Sequence, residues 1–164
     1  RYVKALRKEA DQRYRYLELQ AQIDNAREVS YVDIELPNVN GEKLKLSEVD
    51  SKVVLVYFWP AADAAQKMFN QDVLKPVYAD YHKKGLEIYQ ISLDVDKGVW
   101  AKAVKDQQLP WINVCDAQGS ASPYVTLYNV TSLPSMFIIK DGELVDGQAV
   151  DEKSFRRLLD KLLR

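Results

Sequence analysis

Residues 53–66 read VVLVYFWPAADAAQ, and this stretch decides the fold. Its first seven residues are aliphatic, β-branched or aromatic, which is typical of a buried β-strand. Small residues follow, and Asp63 then precedes a helical pattern, so the strand is predicted to run into the start of a helix. Many α/β folds place their chemistry at such a junction, because the helix N-terminus exposes unpaired N–H groups and a partial positive charge. This junction contains no cysteine, serine, histidine or glycine-rich loop.

Strand and helix patterns alternate on both sides of this junction. Residues 31–36 and 43–46 alternate in polarity around a turn at 37–41, which predicts a β-hairpin. A helix is predicted from Asp63 to about Lys84, with a kink near Pro76 because proline lacks a backbone donor. Further strands are predicted at 86–93, 112–114, 135–139 and 143–146, and further helices from Asp96, at 120–128 and at 151–163. This order predicts an α/β sandwich around a mixed sheet flanked by helices.

Residues 1–29 form a separate segment, upstream of a domain at 30–164. They contain no proline or glycine up to Glu28, and their apolar residues recur at helical spacing, which predicts one long amphipathic helix. We expect it to connect the domain to a further upstream region, since the chain begins at Arg1 rather than at methionine. The alternative is a helix that pairs two chains or two domains.

The charge balance argues against nucleic acid as a partner. The chain has 23 basic and 24 acidic side chains and a net charge of −1, so it offers no broad electrostatic surface for nucleic acid.

It has no signal peptide and no apolar run of the roughly 20 residues that span a bilayer, so this chain is not expected to insert into a membrane. Its single cysteine, Cys115, excludes an intrachain disulfide, a Cys-x-x-Cys pair and a multi-cysteine zinc site. No metal site and no cofactor are predicted.

From residue 31 onward the sequence resembles a known family. The similarity rests on five segments in order: IELPNVNG, VVLVYFW, ISLDVDKGVW, LPWINVCDAQG and YNVTSLPSMFIIKDGELV. Together they resemble the thioredoxin-like fold, and within it the TlpA/ResA type of bacterial envelope thiol-disulfide proteins, which is related to AhpC/TSA. The resemblance implies an opening β-hairpin and a location in the bacterial periplasm or cell envelope.

The redox cysteines of that family are replaced in this chain. The family pattern Phe-Trp-Ala-x-Trp-Cys-x-x-Cys matches Phe58 and Trp59, and its two cysteines fall on Asp63 and Gln66. A carboxylate and an amide cannot attack a disulfide or resolve a mixed disulfide. Asp is a preferred N-cap, and Gln three residues later fits a capping box, so we expect both residues to stabilise the helix start.

The resemblance also implies a peptide-binding groove that needs no cysteine. In the family, a cis-proline faces the active-site turn and the backbone beside it pairs with extended peptides. The equivalent bond here is Leu133–Pro134. The predicted groove consists of Trp59, Pro60, Ala61, Ala62, Leu133 and Pro134. Among the three tryptophans, which are all expected to support the core, Trp59 is predicted to be the most exposed.

Two functions remain open at this point. The leading hypothesis is a redox-inactive thioredoxin-like domain that serves as a peptide-binding, protein-binding or structural module of an envelope protein. The alternative is an enzyme related to the thiol-disulfide oxidoreductases that uses Cys115 as a monothiol, although a packed structural thiol is the simpler interpretation. Asp94-x-Asp96 superficially matches a calcium loop, but the sixth position of the loop is Val99 rather than glycine. Asp96 is instead predicted to cap a helix.

Overall fold

The described part of the chain opens with the predicted β-hairpin. The structure, a computed structural model, describes residues 31–61, 63–145 and 152–164. Strands β1 (Glu35–Pro37) and β2 (Lys43–Lys45) pair antiparallel. They are shorter than predicted because the buried Asp33 carboxylate accepts hydrogen bonds from the backbone N–H groups of Ile34 and Ser47, at 2.9 and 2.8 Å. These bonds fix residues 33 and 34 against the residues that follow β2, where the Leu46 N–H also donates to the Ile34 carbonyl at 2.8 Å.

The central sheet has five strands in the order β5, β4, β3, β6, β7. Strands β3 (Val53–Trp59), β4 (Leu86–Ser92) and β5 (Ile112–Cys115) are parallel to one another. Strand β6 (Ser135–Lys140) pairs antiparallel with β3, and β7 (Glu143–Val145) pairs antiparallel with β6. The β6–β7 turn uses Asp141 and Gly142 with φ of 53° and 79°, as a tight two-residue hairpin requires. The predicted mixed sheet is confirmed.

Helices cover this sheet. They are α1 (Ala64–Phe69), α2 (Lys75–Tyr81), α3 (Lys97–Gln107), α4 (Pro123–Leu127) and α5 (Glu152–Leu162). A π-helical turn, Asn70–Leu74, joins α1 to α2 directly before Pro76. The predicted irregularity near Pro76 is therefore a π turn in the residues that precede it, where the proline deprives the helix of a backbone donor. Asp96 caps α3 as predicted, accepting from the N–H groups of Gly98 and Val99.

Two apolar cores form, one on each face of the sheet. Every residue of β3 is buried, and its alternate side chains enter opposite cores. One core joins Leu55, Tyr57 and Trp59 to side chains of α2, α3 and α5. The other joins Val54, Val56 and Phe58 to the hairpin and α4. The central strand is thus fixed on both faces, which holds the turn that follows it in place.

The predicted N-terminal extension, residues 1–29, lies outside the described residues. Within the described ranges, no helix is both long enough and apolar enough to cross a bilayer. In the same ranges, no group of three or more histidine, cysteine, aspartate or glutamate side chains is placed to hold a metal ion.

Candidate functional site at the carboxyl edge of the sheet

The turn after β3 brings Asp63 to the start of α1. The Asp63 side chain accepts hydrogen bonds from the backbone N–H groups of Ala65 and Gln66, at 2.8 and 3.3 Å. Its own N–H donates to the Pro60 carbonyl at 3.2 Å, which closes the turn. Asp63 is therefore an N-cap, as its sequence position indicates, and its carboxylate is occupied with helix stabilisation. Ala62, the remaining predicted turn residue, lies outside the described residues.

Gln66 has a role that the sequence did not indicate. Its side chain does not complete a capping box, because the Asp63 N–H bonds to Pro60 instead. The Gln66 amide oxygen accepts a hydrogen bond of 2.5 Å from the Tyr57 hydroxyl of the adjacent strand. The prediction that Gln66 completes a capping box is wrong. The buried Tyr57 hydroxyl offers Gln66 a partner that the local sequence does not reveal. Burial raises the pKa of Tyr57 and keeps this hydroxyl protonated.

Asp94, at the end of β4, organises the same turn from the neighbouring strand. Its Oδ2 accepts hydrogen bonds from the Ala61 N–H at 2.6 Å and from the Ser92 hydroxyl at 2.5 Å. Its backbone carbonyl lies 3.6 Å from the Cys115 sulfur. Asp94, the first residue of the superficial calcium-loop match, therefore accepts hydrogen bonds from protein donors.

Cys115 is buried beneath this edge of the sheet. Its side chain is 0% exposed, and its sulfur accepts a hydrogen bond from the Ala117 N–H at 3.3 Å. Burial raises the pKa of this thiol, which lowers the thiolate fraction that nucleophilic attack requires. The geometry therefore favours a packed thiol over the reactive monothiol of the alternative hypothesis.

Trp59 is not exposed at the turn. It is 0% exposed and lies in the core between the sheet and the helices, which contradicts the expectation that it is the most exposed tryptophan. The reason is its register: Trp59 continues the inward-facing series of Leu55 and Tyr57 on β3. Its side chain offers no surface to a ligand. Trp100 and Trp111 are buried as predicted.

The loop before β6 supplies the other side of the site. The Leu133–Pro134 peptide bond is cis, and Leu133 is 39% exposed. Because Phe58 pairs with Ser135, this loop lies at the same edge of the sheet as the turn after β3. Val95, which follows β4 at that edge, is 72% exposed. The edge therefore carries exposed apolar side chains on two of its loops.

A cavity of about 630 Å³ opens between this loop and α1. Its buried part includes Leu55, Tyr57, Ile138 and Phe155, and its exposed rim includes Asn129, Thr131, Ser132 and Pro134. Gln66, Phe69 and Met136 lie between these two zones. Of the predicted groove residues, Pro134 lines this cavity. Gln66, which the sequence placed at the turn, also lines it, whereas the sequence did not indicate Asn129, Met136 or Phe155.

Comparison with known proteins assigns the family. The family model described as "AhpC/TSA family" matches residues 29–147. The chain belongs to the AhpC/TSA family. No curated protein sequence matches it.

Solved structures of bacterial proteins share the fold of this AhpC/TSA domain. A thioredoxin-like protein from Bacteroides vulgatus is 36% identical with a TM-score of 0.70, over 82% of this chain and 86% of that one. The C-terminal domain of a proposed thiol-disulfide oxidoreductase from Bacteroides thetaiotaomicron is 28% identical with a TM-score of 0.72, over 83% and 96%. A thiol-disulfide oxidoreductase from Bacteroides fragilis is 28% identical with a TM-score of 0.69, over 79% and 96%. The thioredoxin-like fold is confirmed.

Proposed function

We propose that this AhpC/TSA domain is redox-inactive and binds an extended polypeptide at the edge formed by the turn after β3 and the cis-proline loop. One observation carries the proposal. By the resemblance to TlpA/ResA-type proteins, the two redox-cysteine positions correspond to Asp63 and Gln66, and both side chains make hydrogen bonds within the fold. The cis Leu133–Pro134 bond beside them is retained.

Redox inactivity follows from the number and the position of the cysteines. Disulfide exchange needs a thiolate that reaches the substrate and a second thiol that resolves the mixed disulfide. The chain has one cysteine, and Cys115 is fully buried with a raised pKa. Neither requirement is met at the turn.

Peptide binding is supported by the backbone of the cis-proline loop. No backbone hydrogen bond between described residues uses the N–H or the carbonyl of Leu133. An extended peptide satisfies such groups by adding its own backbone alongside, as in β-strand addition. Apolar side chains on the neighbouring loops, Leu133 and Val95, then supply the contact area that hydrogen bonds alone lack.

Redox inactivity is tested with insulin and dithiothreitol. The wild-type domain is expected to reduce insulin no faster than dithiothreitol alone. A rate above this background that disappears in Cys115→Ser would overturn the proposal and support the monothiol enzyme.

Binding is tested with reduced, carboxymethylated α-lactalbumin, which is an extended polypeptide without free thiols. We expect saturable binding by fluorescence anisotropy. Leu133→Asp places a charge on the cis-proline loop and is expected to weaken binding about tenfold or more, the equivalent of roughly 1.4 kcal/mol.

The matched control is Leu144→Asp. Leu144 is 45% exposed, close to the 39% of Leu133, but it lies on β7, where it pairs with Ile139 near the end of β6 that is opposite to the cis-proline loop. Binding that is equally weak in both variants, or unchanged in both, would contradict a site at the cis-proline loop.

A location in the bacterial envelope is part of this proposal. It rests on the resemblance to TlpA/ResA-type proteins, and the solved relatives are bacterial thiol-disulfide oxidoreductases by name. Fractionation of cells that produce the natural protein, followed by antibody detection, would place it with periplasmic and membrane markers or refute the location.

A further inference from the structure

The cavity beside Pro134 has a distinct chemical character. Its buried part is aromatic and aliphatic, and Phe69 stacks on Tyr57 with ring centroids 6.0 Å apart. Met136 adds a polarisable thioether, which favours contacts with aromatic rings. A volume of about 630 Å³ falls within the range of ligand pockets and exceeds what an alanine or valine side chain fills.

The described residues that line this cavity carry no charge. They include one titratable side chain, Tyr57, whose pKa is raised by burial so that it stays neutral. A charged group that enters gains no opposite charge from these residues. The lining therefore selects against acidic and basic side chains.

Gln66 gives the cavity a directional hydrogen bond. Its amide oxygen is already engaged by the Tyr57 hydroxyl at 2.5 Å, so the amide is held in one orientation. The amide nitrogen makes no hydrogen bond to any described residue, and Gln66 lines the cavity. An oriented NH₂ group with free donors binds an acceptor, and every peptide supplies one in its backbone carbonyl.

We propose that this cavity is a specificity pocket for an uncharged aromatic side chain of the bound polypeptide, and that the Gln66 amide nitrogen donates to the carbonyl of that residue. The inference rests on the proposed peptide-binding function and adds its sequence preference. The position that carries a resolving cysteine in redox-active relatives thus becomes a recognition residue. Aromatic rings are favoured because the partly exposed Phe69 offers its ring, and the partly exposed Met136 its thioether, to a guest ring.

The test uses short fluorescein-labelled glycine-serine peptides that differ only at one central residue. Phenylalanine at this position is expected to bind the wild-type domain about tenfold or more tightly than alanine, because it buries a large apolar side chain. Glutamate and lysine peptides are expected to bind no better than alanine. Equal affinities across the series would overturn the inference.

Two charge variants at Gln66 separate recognition from a merely structural role. Gln66→Glu keeps an acceptor for Tyr57 but removes the donors and adds a negative charge; it is expected to weaken binding of the uncharged peptides and to bind the lysine peptide more tightly than the alanine peptide. Gln66→Lys is expected to gain a glutamate preference. The matched control is Gln108→Glu, an exposed position at the opposite edge of the sheet, which should keep the wild-type series. A Gln66→Glu domain that binds the phenylalanine peptide as tightly as the wild type would refute the assignment.

The two binding experiments distinguish a failure of the pocket from a failure of the proposed peptide binding. Leu133-dependent binding of carboxymethylated α-lactalbumin together with a flat peptide series refutes the pocket and leaves peptide binding intact. Absence of binding to both probes refutes both.

Discussion

Asp94 accepts a hydrogen bond of 2.6 Å from the backbone N–H of Ala61, and this bond ties the turn after β3 to the neighbouring strand. The same carboxylate oxygen accepts from the Ser92 hydroxyl at 2.5 Å. One donor from the turn after β3 and one from β4 thus converge on one acceptor. The turn keeps its shape without a disulfide because this carboxylate and the Asp63 cap hold its two sides.

Asp94→Ala is expected to lower the free energy of unfolding by about 1–3 kcal/mol, because it leaves the Ala61 N–H and the Ser92 hydroxyl without their acceptor. Urea unfolding followed by far-UV circular dichroism measures the change. The control is Asp50→Ala, since the exposed Asp50 makes no hydrogen bond or ion pair to a described residue. Equal stability of the two variants would contradict the role given to Asp94.

The two helix caps predict a matched pair of effects. Asp63→Ala and Asp96→Ala each remove a side chain that accepts from two backbone N–H groups. Each is expected to cost about 1 kcal/mol. The corresponding asparagine variants should restore most of the loss, because asparagine is also a good N-cap. Thermal and urea unfolding of the four variants would check this, and an unaltered Asp63→Ala would mean that its carboxylate serves something other than the helix.

These caps were predictable because capping is local. Asp63 and Asp96 each precede a helical pattern, and their partners lie two and three residues further on. The hairpin turn at Asp141–Gly142 was predictable for the same reason. The thioredoxin-like fold was implied by the resemblance of five segments together to that family rather than by any one of them.

Non-local features were not predictable. The burial of Trp59 was missed because every residue of β3 is buried, so the strand has no polar alternation that distinguishes its two faces. The Tyr57–Gln66 bond depends on how α1 packs on β3, and the pocket combines these residues with Asn129, Met136 and Phe155. The cis bond was implied by the resemblance, because an X–Pro bond in general is cis only about 5% of the time. Asp94 did carry a signal: it directly follows a parallel strand, where α/β folds place functional residues.

Cys115 is expected to resist alkylation in the folded domain. Burial raises its pKa above the ordinary value of 9.0, so at about pH 8 less thiolate is present than in a free cysteine. Iodoacetamide labelling followed by mass spectrometry should be slow for the native protein and complete after unfolding in urea. Rapid native labelling near neutral pH would restore the monothiol hypothesis.

The raised pKa of Cys115 also makes the stability of the domain depend on pH. The folded state holds the Cys115 proton more tightly than the unfolded state, so the stability contribution is fully present below the unfolded pKa near 9. It is lost as the pH rises from that value through the folded pKa. Cys115→Ala is therefore expected to lose less stability than the wild type between about pH 8 and pH 10. Parallel urea titrations at the two pH values measure the difference, and identical losses would mean that the thiol does not contribute.

The turn lacks the two cysteines that the family pattern places at positions 63 and 66. Asp63→Cys combined with Gln66→Cys restores the family's cysteine spacing at a helix start, where the N-terminal N–H groups and partial charge stabilise a thiolate. The double variant is expected to reduce insulin with dithiothreitol, seen as turbidity from the precipitated B chain. The single variant Asp63→Cys has no resolving thiol at position 66 and should form mixed disulfides without turnover. A folded double variant with an acidic thiol but no activity would show that the turn has diverged beyond its two missing sulfur atoms.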